Sequence, residues 1–72
     1  MKIMPLTMAA AGVPNIIRKV GGRGETRKFL EKLGFVTGGT VTVVSAVGGN
    51  MIVMIKDSRV AIGQEMAGKI LV

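Results

Sequence analysis

Seventy-two residues read as one domain spanning 1–72, and a chain this short buries only about 60% of the surface its unfolded form exposes, so its core is one small cluster with no interdomain cleft. Cysteine and histidine are absent, which excludes disulfides and thiolate metal sites and removes the commonest transition-metal ligand and general base. Ten Lys and Arg against four Asp and Glu give a net charge of +6, a balance that favours an acidic partner (nucleic acid, an anionic membrane surface or an acidic protein face) without choosing among them.

The chain is 49% hydrophobic with a mean hydropathy of +0.53, which argues against disorder. No apolar run approaches the roughly 20 residues that span a bilayer, so no transmembrane segment is expected. The lack of disulfides fits a reducing, cytoplasmic location.

From the N-terminus, Met1 to Gly12 carries Lys2, several apolar residues and Ala9-Ala10-Ala11, a loose imitation of a signal peptide. Pro5 and Thr7 interrupt it, and the plainer reading is an apolar lead-in strand. Pro14 to Val20 reads as a strand, with Ile16 and Val20 on one face and Ile17 on the other. Gly21, Gly22 and Gly24 break it.

The period then changes. Over residues 25–33, Thr26, Phe29, Leu30 and Leu33 fall at i, i+3, i+4 and i+7, which predicts one apolar stripe of a helix. Gly34 suits the left-handed position just past a helix end, where Phe35 folds back on Leu30 in a Schellman arrangement.

Thr37-Gly38-Gly39 is a turn. Thr40 to Val47 predicts a half-buried strand, with Val41 and Val43 inward and Thr40 and Thr42 outward. Gly48-Gly49, with or without Asn50, has hairpin chemistry, and Met51 to Ile55 is the returning strand. Lys56-Asp57-Ser58 is a second turn, and Arg59 to Ile62 a further strand with Val60 and Ile62 inward. Gly63 to Gly68 reads as one helical turn, and Lys69 to Val72 as a closing strand with Ile70 and Val72 inward. About five short strands with glycine-rich turns and one helix after the first predict a mostly β fold, a small barrel or sandwich.

No constellation points to catalysis. The Gly21-Gly22-Arg23-Gly24 run lies between a strand and a helix, where phosphate-binding loops sit. It lacks both the Gly-Lys-Ser/Thr ending and the dinucleotide glycine spacing, so a tight turn is the better reading. Basic residues concentrate at Arg18, Lys19, Arg23, Arg27, Lys28 and Lys32. They suit a solvated helix face or a protein contact better than nucleic acid, because Phe29 and Phe35 are the only aromatics and both are assigned to helix packing. Met51 and Met54 lie on opposite faces of a strand that is apolar on both sides. One side is then core and the other either covered or a partner surface. The carboxylates Glu25, Glu31, Asp57 and Glu65 are scattered, with no metal-ligand spacing.

Assembled in order, these pieces resemble the FeoA family of small proteins of bacterial ferrous iron transport. Met4-Pro5-Leu6-Thr7 is similar to the family's opening Pro-Leu segment, and Ile17 to Gly22 to its first core strand and glycine turn. Arg27 to Gly39 resembles its most recognisable run, Arg-x-x-Leu-x-x-Leu-Gly-Phe-x-x-Gly. Val41, Val43, Gly49 and the closing Arg59 to Val72 complete the likeness. Thr37 departs from it where the family often has proline before the turn glycine, and Asp57-Ser58 where many members have a Gly-Tyr-like pair.

The resemblance implies an SH3-like five-stranded β-barrel, no enzyme activity and no cofactor. It implies an adaptor at the inner face of the membrane, docking on the cytosolic G-protein domain of FeoB, the ferrous iron transporter. The contact surface is expected on the helix face at Arg23, Arg27 and Lys28, or on the apolar strand at Met51, Ile52 and Met54. Two alternatives stay open. One is a nucleic-acid-binding SH3-like module. The other handles Fe²⁺ or another transition metal, weakly and through carboxylates such as Asp57 or Glu65. An uncovered strand edge would also let two copies pair.

Overall fold

Period-two alternation of β-branched residues produces the longest strands, and glycine pairs and short polar turns separate them. In the computed structural model, which describes residues 3–72, a 3-10 turn at Leu6–Met8 comes first. It is followed by β1 (Pro14–Ile16), β2 (Lys19–Val20), α1 (Gly24–Leu33), β3 (Thr40–Val47), β4 (Asn50–Ile55), β5 (Ser58–Gly63), α2 (Gln64–Ala67) and β6 (Ile70–Leu71). An antiparallel four-stranded sheet has the order β1-β3-β4-β5, and a second ladder pairs β2 with β6. The fold is thus mostly β, with α1 after the early strands.

The predicted strand 14–20 is two strands. β1 pairs with β3, bringing Ile16 opposite Thr40, whereas β2 pairs with β6, bringing Val20 opposite Ile70. At the corner the Ile17 N–H donates to Gly39 O at 2.8 Å, and the Arg18 N–H already reaches Leu71 O at 2.7 Å. The chain changes sheets there, so side-chain alternation does not carry through. Ile17 and Val20 are both buried, and Ile16, expected beside Val20, is 47% exposed.

The lead-in strand also needs correction. Met4 and Val72 exchange backbone hydrogen bonds at 2.9 and 2.8 Å, and Pro5 bridges to Leu71. The chain then tightens into the 3-10 turn, which buries Leu6 completely. Met1 and Lys2 lie outside the described residues.

The helix end follows the sequence closely. Gly34 has φ +109°, and its N–H donates to Glu31 O while the Phe35 N–H donates to Leu30 O, both at 3.0 Å. These are the two bonds of a Schellman motif, and Leu30 and Phe35 are fully buried together.

In the sheet, Val41, Val43, Met51, Val53 and Ile55 line the inner face. A β-bulge at Val44 shifts the β3–β4 register between Val43 and Ser45. The β3–β4 hairpin closes on Gly48-Gly49, with a left-handed φ of +59° at Gly48 and no such φ at Gly49. That is the pattern of a type II′ turn, which needs glycine first. The closing strand is shorter than predicted, but Ile70 and Val72 do point into the core with Ile62 and Ala67.

Candidate docking surfaces

α1 puts its apolar stripe inward only in part. Leu30 is buried, and Leu33 and Thr26 are half-buried. Phe29, predicted to share that stripe, is 47% exposed on the flank of the helix. At 100° per residue Phe29 stands about 100° from Leu30, and among the described residues its side of the helix is left partly open to solvent. Arg27, Lys28 and Lys32 are exposed along the same helix, and Arg23 is its N-cap residue, with no side-chain capping bond.

Two distant lysines extend this basic surface. A Cβ placed on Gly34 would stand 3.4 Å from Lys56 Cδ, so the Lys56 stem lies across the helix C-cap. A Cβ on Gly22 would stand 3.4 Å from Lys69 Cδ and 3.3 Å from Thr26 Cγ2, which places the Lys69 stem beside the first helical turn. Sequence distance hid both lysines from the reading of residues 18–32.

The second candidate surface is the outer face of the four-stranded sheet. Pairing puts Pro14, Thr42, Met54 and Arg59 in one row across it, and Ser45, Ile52 and Ala61 in another. Ile52 and Met54 are half-buried there. Met51, grouped with them from sequence, is 3% exposed and belongs to the core, because alternation along β4 turns it to the inner face. A shallow groove of about 370 Å³ runs over this outer face, lined by Pro14, Thr40, Thr42, Met54, Lys56 and Asp57. Ile16, assigned inward from sequence, adds exposed apolar area beside it through its pairing with Thr40. Arg23, Arg27 and Lys28 therefore share one surface, and Ile52 and Met54 share another.

The remaining motifs carry little chemistry. The Gly21-to-Gly24 run is a tight turn joined to the C-terminal segment by the Gly21 N–H to Lys69 O bond of 2.7 Å. Asp57 lies in the β4–β5 turn and Glu65 in α2, and no three Asp or Glu side chains come together among the described residues. Among the described residues no helix is long and apolar enough to cross a membrane.

The sequence matches the model of the FeoA domain over residues 4–72. The chain belongs to the FeoA family. Among solved structures, FeoA described as an iron uptake regulatory protein is 27% identical and superposes with a TM-score of 0.88, covering 99% of this chain and 95% of its own. Iron(II) transport protein A from Clostridium thermocellum is 26% identical with a TM-score of 0.87, over 93% of this chain and 43% of that one. A manganese-dependent transcriptional repressor shares the fold at 16% identity and a TM-score of 0.87, covering 97% of this chain and 40% of its own. Comparison with curated protein sequences gives no match. FeoA proteins are associated with ferrous iron transport and are non-enzymatic accessory proteins, and this chain is one of them.

Proposed function

We propose that this FeoA-family chain is a cytoplasmic adaptor that docks on the cytosolic G-protein domain of a FeoB-type ferrous iron transporter and modulates uptake or the GTP cycle. The observation that carries this reading is the family match over residues 4–72, supported by the 27% identical FeoA structure. The two sheets around one core are read as an SH3-like barrel, closed where β1 runs into β2 and where β6 meets the Met4–Pro5 segment. Such a scaffold offers rigid surfaces and no reactive group.

Of the two surfaces, the helix face offers charge, with Arg23, Arg27 and Lys28 exposed. The sheet's outer face offers an apolar groove with Ile52 and Met54. Amide chemical-shift titration with the G-protein domain from the same organism, with and without a GTP analogue, tests the proposal. Shifts confined to α1, abolished by Arg27→Glu with Lys28→Glu, would assign docking to the helix. Shifts along β4 that survive those changes would assign it to the sheet. No shifts at high concentration of either partner would sink the adaptor reading. The sheet edges β1 and β5 also suit weak pairing of two copies, which would appear in equilibrium sedimentation as a concentration-dependent mass.

A further inference from the structure

Phe29 is a large aromatic left 47% exposed on a helix whose other exposed side chains are three basic (Arg27, Lys28, Lys32) and two acidic (Glu25, Glu31). Lys28 and Lys32 are one turn apart; at 100° per residue Lys32 stands about 60° and Lys28 about 100° round the helix from Phe29, and Glu25 lies one turn before Phe29 on its own side. Arg23 and Arg27 continue the charge toward the N-terminus, and the tertiary fold adds Lys56 at the C-cap and Lys69 at the first turn. The acidic residues of the helix are Glu25 and Glu31. Glu25 sits in the first turn, where the helix dipole favours a carboxylate.

From this placement we infer that α1 is a peripheral membrane-docking element, with Phe29 inserting among the headgroups of an anionic bilayer and Lys32 and Lys28 reaching the surface to one side of it. Each part has a physical reason. An aromatic ring prefers the interfacial zone of a bilayer to water. Lysine stems lie along apolar surface while their ammonium groups stay at the headgroups. Basic side chains near an anionic surface add attraction that falls off within a Debye length. The net charge of +6 supplies the long-range attraction.

The alternatives fit less well. Single-stranded nucleic acid stacks successive bases on successive aromatics, and the only other aromatic, Phe35, is fully buried. A protein partner that grips through a recess has its groove elsewhere, over Thr40, Thr42 and Met54. The inference is independent of docking on a transporter domain. Reversible attachment would nonetheless concentrate the chain at the membrane, where any such transporter resides.

The test is co-sedimentation of the full chain with phosphatidylcholine vesicles, with and without about one-third phosphatidylglycerol, at low and high salt. Binding is expected to the anionic vesicles only, and to weaken as salt rises. Lys28→Glu with Lys32→Glu is expected to reduce it by at least about five-fold per site. Phe29→Ala is expected to reduce it several-fold with the circular dichroism spectrum unchanged, since the ring is not part of the core. Glu25→Gln is expected to strengthen it. No sedimentation with anionic vesicles at low salt overturns the inference. So does binding that Phe29→Ala leaves unchanged, because that is bare charge attraction. Tighter binding to single-stranded DNA than to vesicles, lost in the Phe29→Ala variant, would assign the face to nucleic acid instead.

Discussion

Lys56 and Asp57 both sit at left-handed φ, +48° and +63°. They form the two-residue loop between Ile55 and Ser58, where right-handed strand twist demands positive φ at both positions, as in a type I′ turn. Asparagine and glycine adopt that geometry at least cost, and lysine is a poor choice for it. Replacing the pair with Asn-Gly is expected to stabilise the fold by about 1 kcal/mol, seen as a rise of several degrees in the thermal midpoint. A lower midpoint would mean that the Lys56 stem over Gly34 contributes more than the backbone strain costs. Gly34→Ala acts in the opposite direction. It forces a side chain into φ +109°, which L residues rarely adopt, although the new Cβ would meet Lys56 Cδ at 3.4 Å and Ile55 Cγ1 at 3.6 Å, ordinary contact distances. Denaturant titration should show a loss of about 1–2 kcal/mol.

At the scale of the element, α1 begins poorly and ends well. Its N-cap, Arg23, makes no side-chain bond, whereas its C-terminus carries both Schellman bonds. Arg23→Ser should supply an oxygen to the free helical N–H groups and stabilise the fold by about 1 kcal/mol. Arg23 already has the extended φ −102°, ψ 147° of an N-cap residue, so an unchanged denaturation midpoint would mean that water satisfies those N–H groups as well as a serine oxygen does. The strands differ in the same way. β3 and β4 are long and flanked on both sides by other strands, while β2 and β6 form a ladder of two residues each. Native-state hydrogen exchange should therefore find the slowest amides at Val43, Val53 and Ile55 and faster exchange at Lys19 and Val20. The reverse order would make the short ladder the stable part of the molecule.

At the scale of the whole molecule, the two chain ends hold each other. Met4 and Val72 exchange backbone bonds, and Ile70 and Val72 complete the core. A domain of this length is stable by only about 4–11 kcal/mol at the usual value per residue. Ile70→Ala, which deletes much of a fully buried side chain, should cost about 2–5 kcal/mol. Circular dichroism should then show a much lower melting point and partial unfolding near 37 °C. A change below 1 kcal/mol would mean that β6 contributes little to the global fold.

The sequence by itself determined the elements whose cause is local. The helix 25–33, its glycine stop, the Val41/Val43 face of β3 and the Gly48-Gly49 hairpin all follow from periodicity and backbone preference within a few residues. The FeoA resemblance was legible for the same reason, because it rests on the order and spacing of these local signals. What the tertiary structure alone decided depends on which segment covers which. Strand alternation assigned Ile16 inward, but the chain changes partners from β3 to β6 at Ile17, and only long-range pairing reveals that corner. Helical periodicity assigned Phe29 to the core, but the core reaches only as far round the helix as Leu30 and Leu33. Met51 and Ile52 differ by one residue and a half-turn of pleat, so the choice of inner face made one core and the other surface. Lys56 and Lys69 joined the helix's basic face because packing brought them there from the β4–β5 turn and the C-terminal segment, and no local spacing records that.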